Sequence, residues 1–376
     1  MDECVRVLDH MPERNPTDGT FELTIRCNLH CKMCLFRHDD SENPELMAKE
    51  LTAEQWIDMA RQVAEAGTLS LLITGGEPML RPDFCEIWEG IYKQGFVITL
   101  YTNATLVTPK IMETLRKYPP HKIGVTIYGA SPETYEKVTG SAAAFERAIE
   151  GIKQLKTLPS YISYRTTVIK DNQQDLDAID DLIRENFDPD PNYSVAQNVY
   201  KAVRGGCADV ESCRILPEDG FLVSVSRATH MLKVRLGERF EKGHVGFRWV
   251  DGSPSSQTDK KKAQYSLFGC SGGMRSYTVS WDGKLLGCQL LGHFSREIHG
   301  DFVSAWNRFP EGIRFLEFNK ECAACLMNDH CPLCPAVLFA ETGSFSEKPE
   351  YICKSTHIRE KYLRMIKDEE VRYEDL

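Results

Sequence analysis

Ten of the fourteen cysteines in this 376-residue chain fall into two groups, three at 27–34 and seven at 270–353. No other feature restricts the fold as strongly. A chain this long, with 42% hydrophobic residues, can bury a core without a disulfide framework. Its first residues lack a basic flank followed by an apolar core, so no export signal is read there, and a reducing, cytoplasmic setting is expected. Grouped cysteines in that setting mean metal or redox chemistry. No run of about 18 apolar residues is present, so no membrane span is expected. The net charge of −10 argues against binding nucleic acid, which needs cations to neutralise phosphates, and Lys260–Lys262 reads as a solvated loop.

The first two hundred residues alternate two periods. Short runs rich in β-branched and aromatic residues occupy 21–26, 69–74, 97–102, 122–128, 161–169 and 193–199. Helical patterns lie between them at 52–66, 82–94, 109–118, 145–156 and 175–186. Thr52, with Gln55 three residues on, has the form of a capping box, and Gly67 stops that helix. Repeated strand–helix alternation predicts an α/β fold with a parallel sheet. Six units are short of the eight of a closed barrel, so the expectation is a partial (β/α)6 TIM-like barrel with chemistry at the C-terminal ends of its strands. A helix over 217–242 and a polar connector over 243–266 follow. Asp282-Gly283 predicts a hairpin between strands at 277–281 and 284–288. The remainder is cysteine-dense and needs metal to hold it. The expected divisions are an N-terminal arm (1–19), the barrel (20–215), a helical bridge and connector (216–266), a cysteine-rich C-terminal domain (267–356) and a C-terminal helix (357–376).

Cys27-Asn-Leu-His-Cys31-Lys-Met-Cys34 follows the first strand directly. Three thiolates can hold a four-iron cubane and leave one iron open for a ligand; a zinc site with a remote fourth ligand is the competing reading. This spacing, C-x3-C-x2-C after the first strand of a partial barrel, resembles the radical S-adenosylmethionine (SAM) superfamily. Thr74-Gly75-Gly76-Glu77-Pro78, at the end of the second strand, matches that family's GGEP motif. The resemblance implies that Gly75, Gly76, Glu77 and Pro78 hold the methionine amino group of SAM. It further implies that Asn103, in Thr102-Asn103-Ala104-Thr105, bonds the ribose, with Ala104 where glycine is usual. Thr126 would lie near the methionyl group, Arg165 would pair with its carboxylate, and the backbone of Met33 would border adenine.

In the second group Cys270 precedes Gly283 and Cys288, then Cys322, Cys325, Cys331 and Cys334 follow, and Cys353 closes it. Two C-x-x-C pairs suit a zinc ribbon, but only five residues separate them here. The segment is similar to the SPASM extension of peptide- and protein-modifying radical SAM enzymes, with one residue fewer before Cys334. That likeness implies an outer auxiliary cluster on Cys322, Cys325, Cys331 and Cys353 and an inner one on Cys270, Cys288 and Cys334. With the first site, three [4Fe-4S] clusters and SAM are expected. Gln264 stands where some relatives have a fourth inner cysteine.

Cys207 and Cys213 lie beyond the sixth strand, as buried thiols, a cluster ligand or hydrogen-atom donors to a substrate radical. Cys85 reads as a core thiol, His30 and His330 as neighbours of the ligands, and Tyr128 as packing. The resemblance implies formation of a 5′-deoxyadenosyl radical and hydrogen abstraction from a peptide or protein, with thioether or carbon–carbon cross-linking of a ribosomally made peptide favoured. Epimerisation, sulfatase maturation and cofactor or tetrapyrrole maturation stand as alternatives, and Gln289 counts against the sulfatase case. A non-catalytic iron–sulfur module is the rival of another class. An electron donor such as flavodoxin or ferredoxin is expected. With only about twenty residues before the barrel, either a separate peptide-recognition protein or a short substrate is expected too.

Overall fold

A computed structural model of the chain describes residues 14–36, 43–197, 199–201, 204, 210–236, 270–309, 319–327 and 331–367. Six strands, β1 (Asp18–Glu22), β2 (Ser70–Thr74), β3 (Val97–Thr102), β4 (Lys122–Thr126), β5 (Tyr161–Thr167) and β6 (Tyr193–Ala196), pair in parallel and in sequence order. Helices return the chain between them: α1 (Ala53–Glu65), α2 (Phe84–Tyr92), α3 (Pro109–Lys117), α4 (Pro132–Thr139), α5 (Ala144–Leu155) and α6 (Leu176–Asn186). This is the partial (β/α)6 barrel that the alternation predicts.

Local chemistry explains the boundaries. Thr52 caps α1 and Gln55 bonds back to the Thr52 N–H at 2.8 Å, the reciprocal capping box read from the sequence. Trp56, Met59, Ala60 and Val63 make one buried stripe on α1, and Trp56 packs on Phe21 of β1 at 4.9 Å. The sequence reading missed α4, although its signals are clear in retrospect. Ser131 caps it by accepting from Thr134 N–H, Pro132 occupies the first turn, and Gly140 ends it at φ +74°.

Because Phe21 faces the helices, its register partners Ile73 and Leu100 do too. The alternate residues therefore turn to the opposite face, the lumen of the barrel. Thr20, Glu22, Thr74, Thr99, Tyr101, Thr126, Ser163 and Arg165 fall on that face. Its polarity is what a barrel that receives a polar ligand needs.

The C-terminal segment does not form a separate sheet. Strand β7 (Ser276–Val279) pairs in parallel with β1, and β8 (Lys284–Leu286) and β9 (Arg296–Glu297) extend the sheet to nine strands. The β7–β8 turn is also longer than the Asp-Gly signal suggests. Gly283 N–H donates to Ser280 O at 2.9 Å, so Asp282-Gly283 forms the second half of a four-residue turn with Gly283 at φ +80°. Helix α7 (Pro217–Leu236) packs on α8 (Glu350–Lys367) through stacked Phe221 and Tyr362 rings 4.9 Å apart. The expected continuation of α7 to 242 and the connector over 243–266 lie outside the described residues.

Candidate active site and cysteine centres

The cysteine loop after β1 is held from three sides. Leu23 N–H bonds Thr74 O, Gly76 N–H bonds Thr24 O, and Glu77 N–H bonds Arg26 O, so 23–26 runs alongside 74–77. This approach is why two glycines stand there. A Cβ on Gly75 would lie 2.5 Å from Thr24 O and one on Gly76 2.1 Å from Arg26 O, and Gly75 has φ +137°. On the second side, His30 N–H and Lys32 N–H donate to Thr139 O and Val138 O at the end of α4, at 2.9 and 3.1 Å. On the third, Asn103 Nδ2 reaches Asn28 Oδ1 at 3.1 Å and lies 3.8 Å from Cys27 Sγ.

Glu77 sets the position of Asn103. The carboxylate is fully buried and accepts from Thr102 Oγ1 (2.9 Å), Asn103 N–H (2.8 Å) and Met79 N–H (3.1 Å). Burial outweighs these donors and pushes its pKa up to about 7. The Asn103 side chain is likewise bonded within the protein, accepting from Thr105 N–H and Oγ1 and donating to Asn28. Both residues expected to touch SAM are therefore committed to internal bonds that tie the GGEP turn, the end of β3 and the cysteine loop together. Ala104 takes φ +60°, the left-handed conformation that makes glycine the easier residue.

Thr126 and Arg165 are register partners on the lumen face. Arg165 lies 4.0 Å over the ring of Tyr101. Gly124, which faces the same ring, has no room for a Cβ. Met33 is partly buried against the core, near the apolar cluster of Val138, Ile169, Val199, Val210 and Cys213. Cys213 is buried there with its Sγ 3.4 Å from Val210 O. Cys207, His330 and Gln264 lie outside the described residues.

Burial raises the Cys27 thiol to about 12, with Glu77 nearby adding to the effect, and holds Cys31 well above the ordinary thiol range. The Tyr128 side chain hydrogen-bonds Cys31, so this tyrosine does more than pack. Buried thiols whose pKa is raised are poor nucleophiles, but a metal that displaces their protons suits them. In the C-terminal segment Cys288 is raised to about 11 by burial, with Cys334 and Cys270 close enough to add to it. Cys322 is raised by burial, with Cys331, Cys353 and Cys325 as its charged neighbours. Those last four line one cavity of about 80 Å³, together with Met327, Leu333 and Ile352.

Four thiolates on one zinc at about 2.3 Å stand only ~3.8 Å apart. Among the described residues no three cysteine Sγ atoms lie within 4.8 Å of one another. Backbone N–H groups also point at the sulfurs, from Leu29 to Cys27 (3.4 Å), Gly272 to Cys270 (3.3 Å), Met327 to Cys325 (3.4 Å) and Val337 to Cys334 (3.5 Å). Such contacts stabilise thiolates bound to iron.

A family model described as the Radical SAM superfamily matches residues 21–183, which span β1 to α6 and include the cysteine loop. Residues 21–183 thus form a radical SAM domain. A domain of this family implies SAM and a [4Fe-4S] cluster, and the three-cysteine loop it contains is of the type that holds one. This radical SAM chain is 29% identical over 351 residues to an AdoMet-dependent heme synthase of Methanosarcina barkeri, covering 88% of this chain and 94% of that one. It is 25% identical to a PqqA peptide cyclase of Bradyrhizobium diazoefficiens, over 81% and 74% of the two chains. Streptococcus suis SuiB bound to its precursor peptide SuiA shares the fold, with TM-score 0.67 at 18% identity over 94% of this chain and 79% of that one. Among the described residues of this radical SAM chain, no helix is long and apolar enough to cross a membrane.

Signals missed from the sequence are mostly long-range. Tyr128, Asn28 and Thr105 become site residues only through contacts that the barrel creates. Arg204 and Glu22, a bidentate pair at 2.5–2.6 Å, come from opposite ends of the barrel sequence.

Proposed function

We propose that the chain is a radical SAM enzyme whose Cys27, Cys31 and Cys34 hold the SAM-binding [4Fe-4S] cluster. Two auxiliary clusters then sit on Cys270, Cys288 and Cys334 and on Cys322, Cys325, Cys331 and Cys353. Cluster and SAM together supply a 5′-deoxyadenosyl radical that takes a hydrogen atom from the substrate. The protein's own part is to hold the cysteine loop against the GGEP turn, to line the lumen with Thr126 and Arg165 for a polar ligand, and to keep water from the buried thiols.

The substrate we favour is a cysteine-containing peptide, to be cross-linked through sulfur or carbon. The observation that carries this reading is the three-cysteine inner set. Three thiolates leave one iron of a cubane without a protein thiolate, a place for a substrate sulfur. One finding favours a second reading, tetrapyrrole maturation: the identity to the heme synthase runs almost its whole length. One experiment separates them. Dithionite-reduced protein is given SAM and either a deuterated cysteine-containing peptide or a deuterated iron tetrapyrrole. Deuterium in 5′-deoxyadenosine identifies the substrate class. No cleavage of SAM with either, or without substrate, refutes the enzyme reading in favour of an electron-transfer module.

A further inference from the structure

Glu22 ends β1 on the lumen face and is 1% exposed. Its carboxylate is bound bidentately by Arg204, at 2.6 and 2.5 Å, and also accepts from the Gln289 side chain. The Arg204 side chain, only 10% exposed, passes between the two cysteine groups. On one side it meets Phe36, two residues after Cys34, with the guanidinium 5.5 Å from the ring. On the other it presses on Gly292, where a Cβ would lie 2.9 Å from Arg204 Cγ. Gln289 follows Cys288 directly and Gly292 lies four residues after it, and the Arg204 charge acts on the Cys288 thiol. A buried pair that only braced two loops would gain nothing over an apolar contact, because desolvating two charges offsets their attraction.

We infer that Arg204 is a positioning residue that presents a fixed positive charge to the inner auxiliary centre on Cys270, Cys288 and Cys334, and that Glu22 sets how much of that charge the centre feels. This rests on the cluster assignment proposed above. A cation beside a cluster favours the state with one more electron, so the pair tunes the centre's reduction potential and hence its readiness to accept an electron from the substrate.

The test is redox titration of the anaerobically reconstituted full chain, followed by EPR. Glu22→Gln keeps the shape and uncovers the arginine charge; it should shift the one-electron reduction equilibrium of the inner centre about tenfold toward the reduced form, about 59 mV upward. Arg204→Gln should shift it downward by a similar factor, and Arg204→Lys, which keeps the charge, should lie near the wild type. The outer centre should not move in any variant. Potentials that stay put, move with the opposite sign, or are as disturbed by Arg204→Lys as by Arg204→Gln overturn the inference. Loss of about four irons in both Glu22→Gln and Arg204→Lys also overturns it and makes the pair a structural brace. The underlying assignment fails separately, if replacing Cys270, Cys288 and Cys334 together by Ala leaves the iron content of the protein unchanged.

Discussion

Glu77→Gln separates two roles for the buried glutamate. The carboxylate accepts from Met79 N–H, Thr102 Oγ1 and Asn103 N–H. Glutamine keeps one oxygen for Met79 and Thr102 but turns an NH2 group toward Asn103 N–H. One charge-assisted bond is lost and a buried donor is left unmatched, at a cost of about 1.5–3 kcal/mol. Against that, the neutral side chain removes a buried charge. Raising a carboxyl from 4.5 to about 7 costs roughly 3 kcal/mol at pH 8, and glutamine does not carry that cost. The two effects nearly cancel, so the fold should survive with Tm changed by less than about 4 °C. SAM affinity should not be spared. Asn103 loses the contact that fixes its backbone, and a loss of about 1.5–3 kcal/mol at the site is roughly 10- to 100-fold in Kd. Calorimetric titration of the reconstituted protein with SAM gives that number. Asn103→Ala and the double variant complete a cycle. If Glu77 acts through Asn103, the two losses should fall short of additivity by at least about 1 kcal/mol. Additive losses, or an unchanged Kd, refute the coupling, and a Tm drop of more than about 8 °C refutes the cancellation.

Three further outcomes follow from the same geometry. In urea melts of iron-free protein, wild type should lose roughly 3 kcal/mol relative to Glu77→Gln as pH rises from 4.5 to 7. The folded state, with its carboxyl pKa raised to about 7, holds the proton more tightly than the unfolded state, so the advantage is complete below about 4.5 and gone above about 7; parallel pH profiles would show that Glu77 does not titrate in this window. Replacing Cys27, Cys31 and Cys34 by Ala should remove about four of roughly twelve irons and abolish SAM cleavage, whereas an iron count near four in wild type speaks against auxiliary clusters. Gly76→Ala sets a methyl against Arg26 O and should destabilise by about 1–3 kcal/mol or more while weakening cluster retention, whereas Gly95→Ala, at positive φ but in open space, should cost only about 1 kcal/mol and leave iron content unchanged.

The six strands, the capping box at Thr52 and the cluster-binding type of the first cysteine group were legible in the sequence because each is a local signal. Period-2 and period-3.6 patterns, a cap three residues from its partner, and cysteines spaced by two or three residues all act within one or two turns of chain. The first strand was read at 21–26 and lies at Asp18–Glu22, because Leu23–Arg26 keep strand-like bonds to Thr74–Glu77 without belonging to the regular ladder. The roles of Glu77 and Asn103 were read as contacts to a ligand. What only the structure shows is that both side chains also bond within the protein, Glu77 accepting from Met79, Thr102 and Asn103 N–H, and Asn103 accepting from Thr105 and donating to Asn28.

By itself, then, the sequence determined the class of chemistry and the barrel. The three-thiol loop after the first strand is of the type that holds a [4Fe-4S] cluster, and alternating strands and helices pair in sequence order. Only the tertiary structure decided what those pieces adjoin. β7 joins the free edge of β1 because an open strand edge must pair, and residues 276–279 reach it only after the chain has gone round the barrel. The same closure sets Arg204 against Glu22 and brings Cys288 within its field, and it lays the end of α4 on the cysteine loop. Each of these contacts joins residues far apart in the chain, and nothing in the local pattern of either partner encodes the other. Their pairing is fixed by backbone bonds and buried charges that have to be satisfied once the barrel is formed.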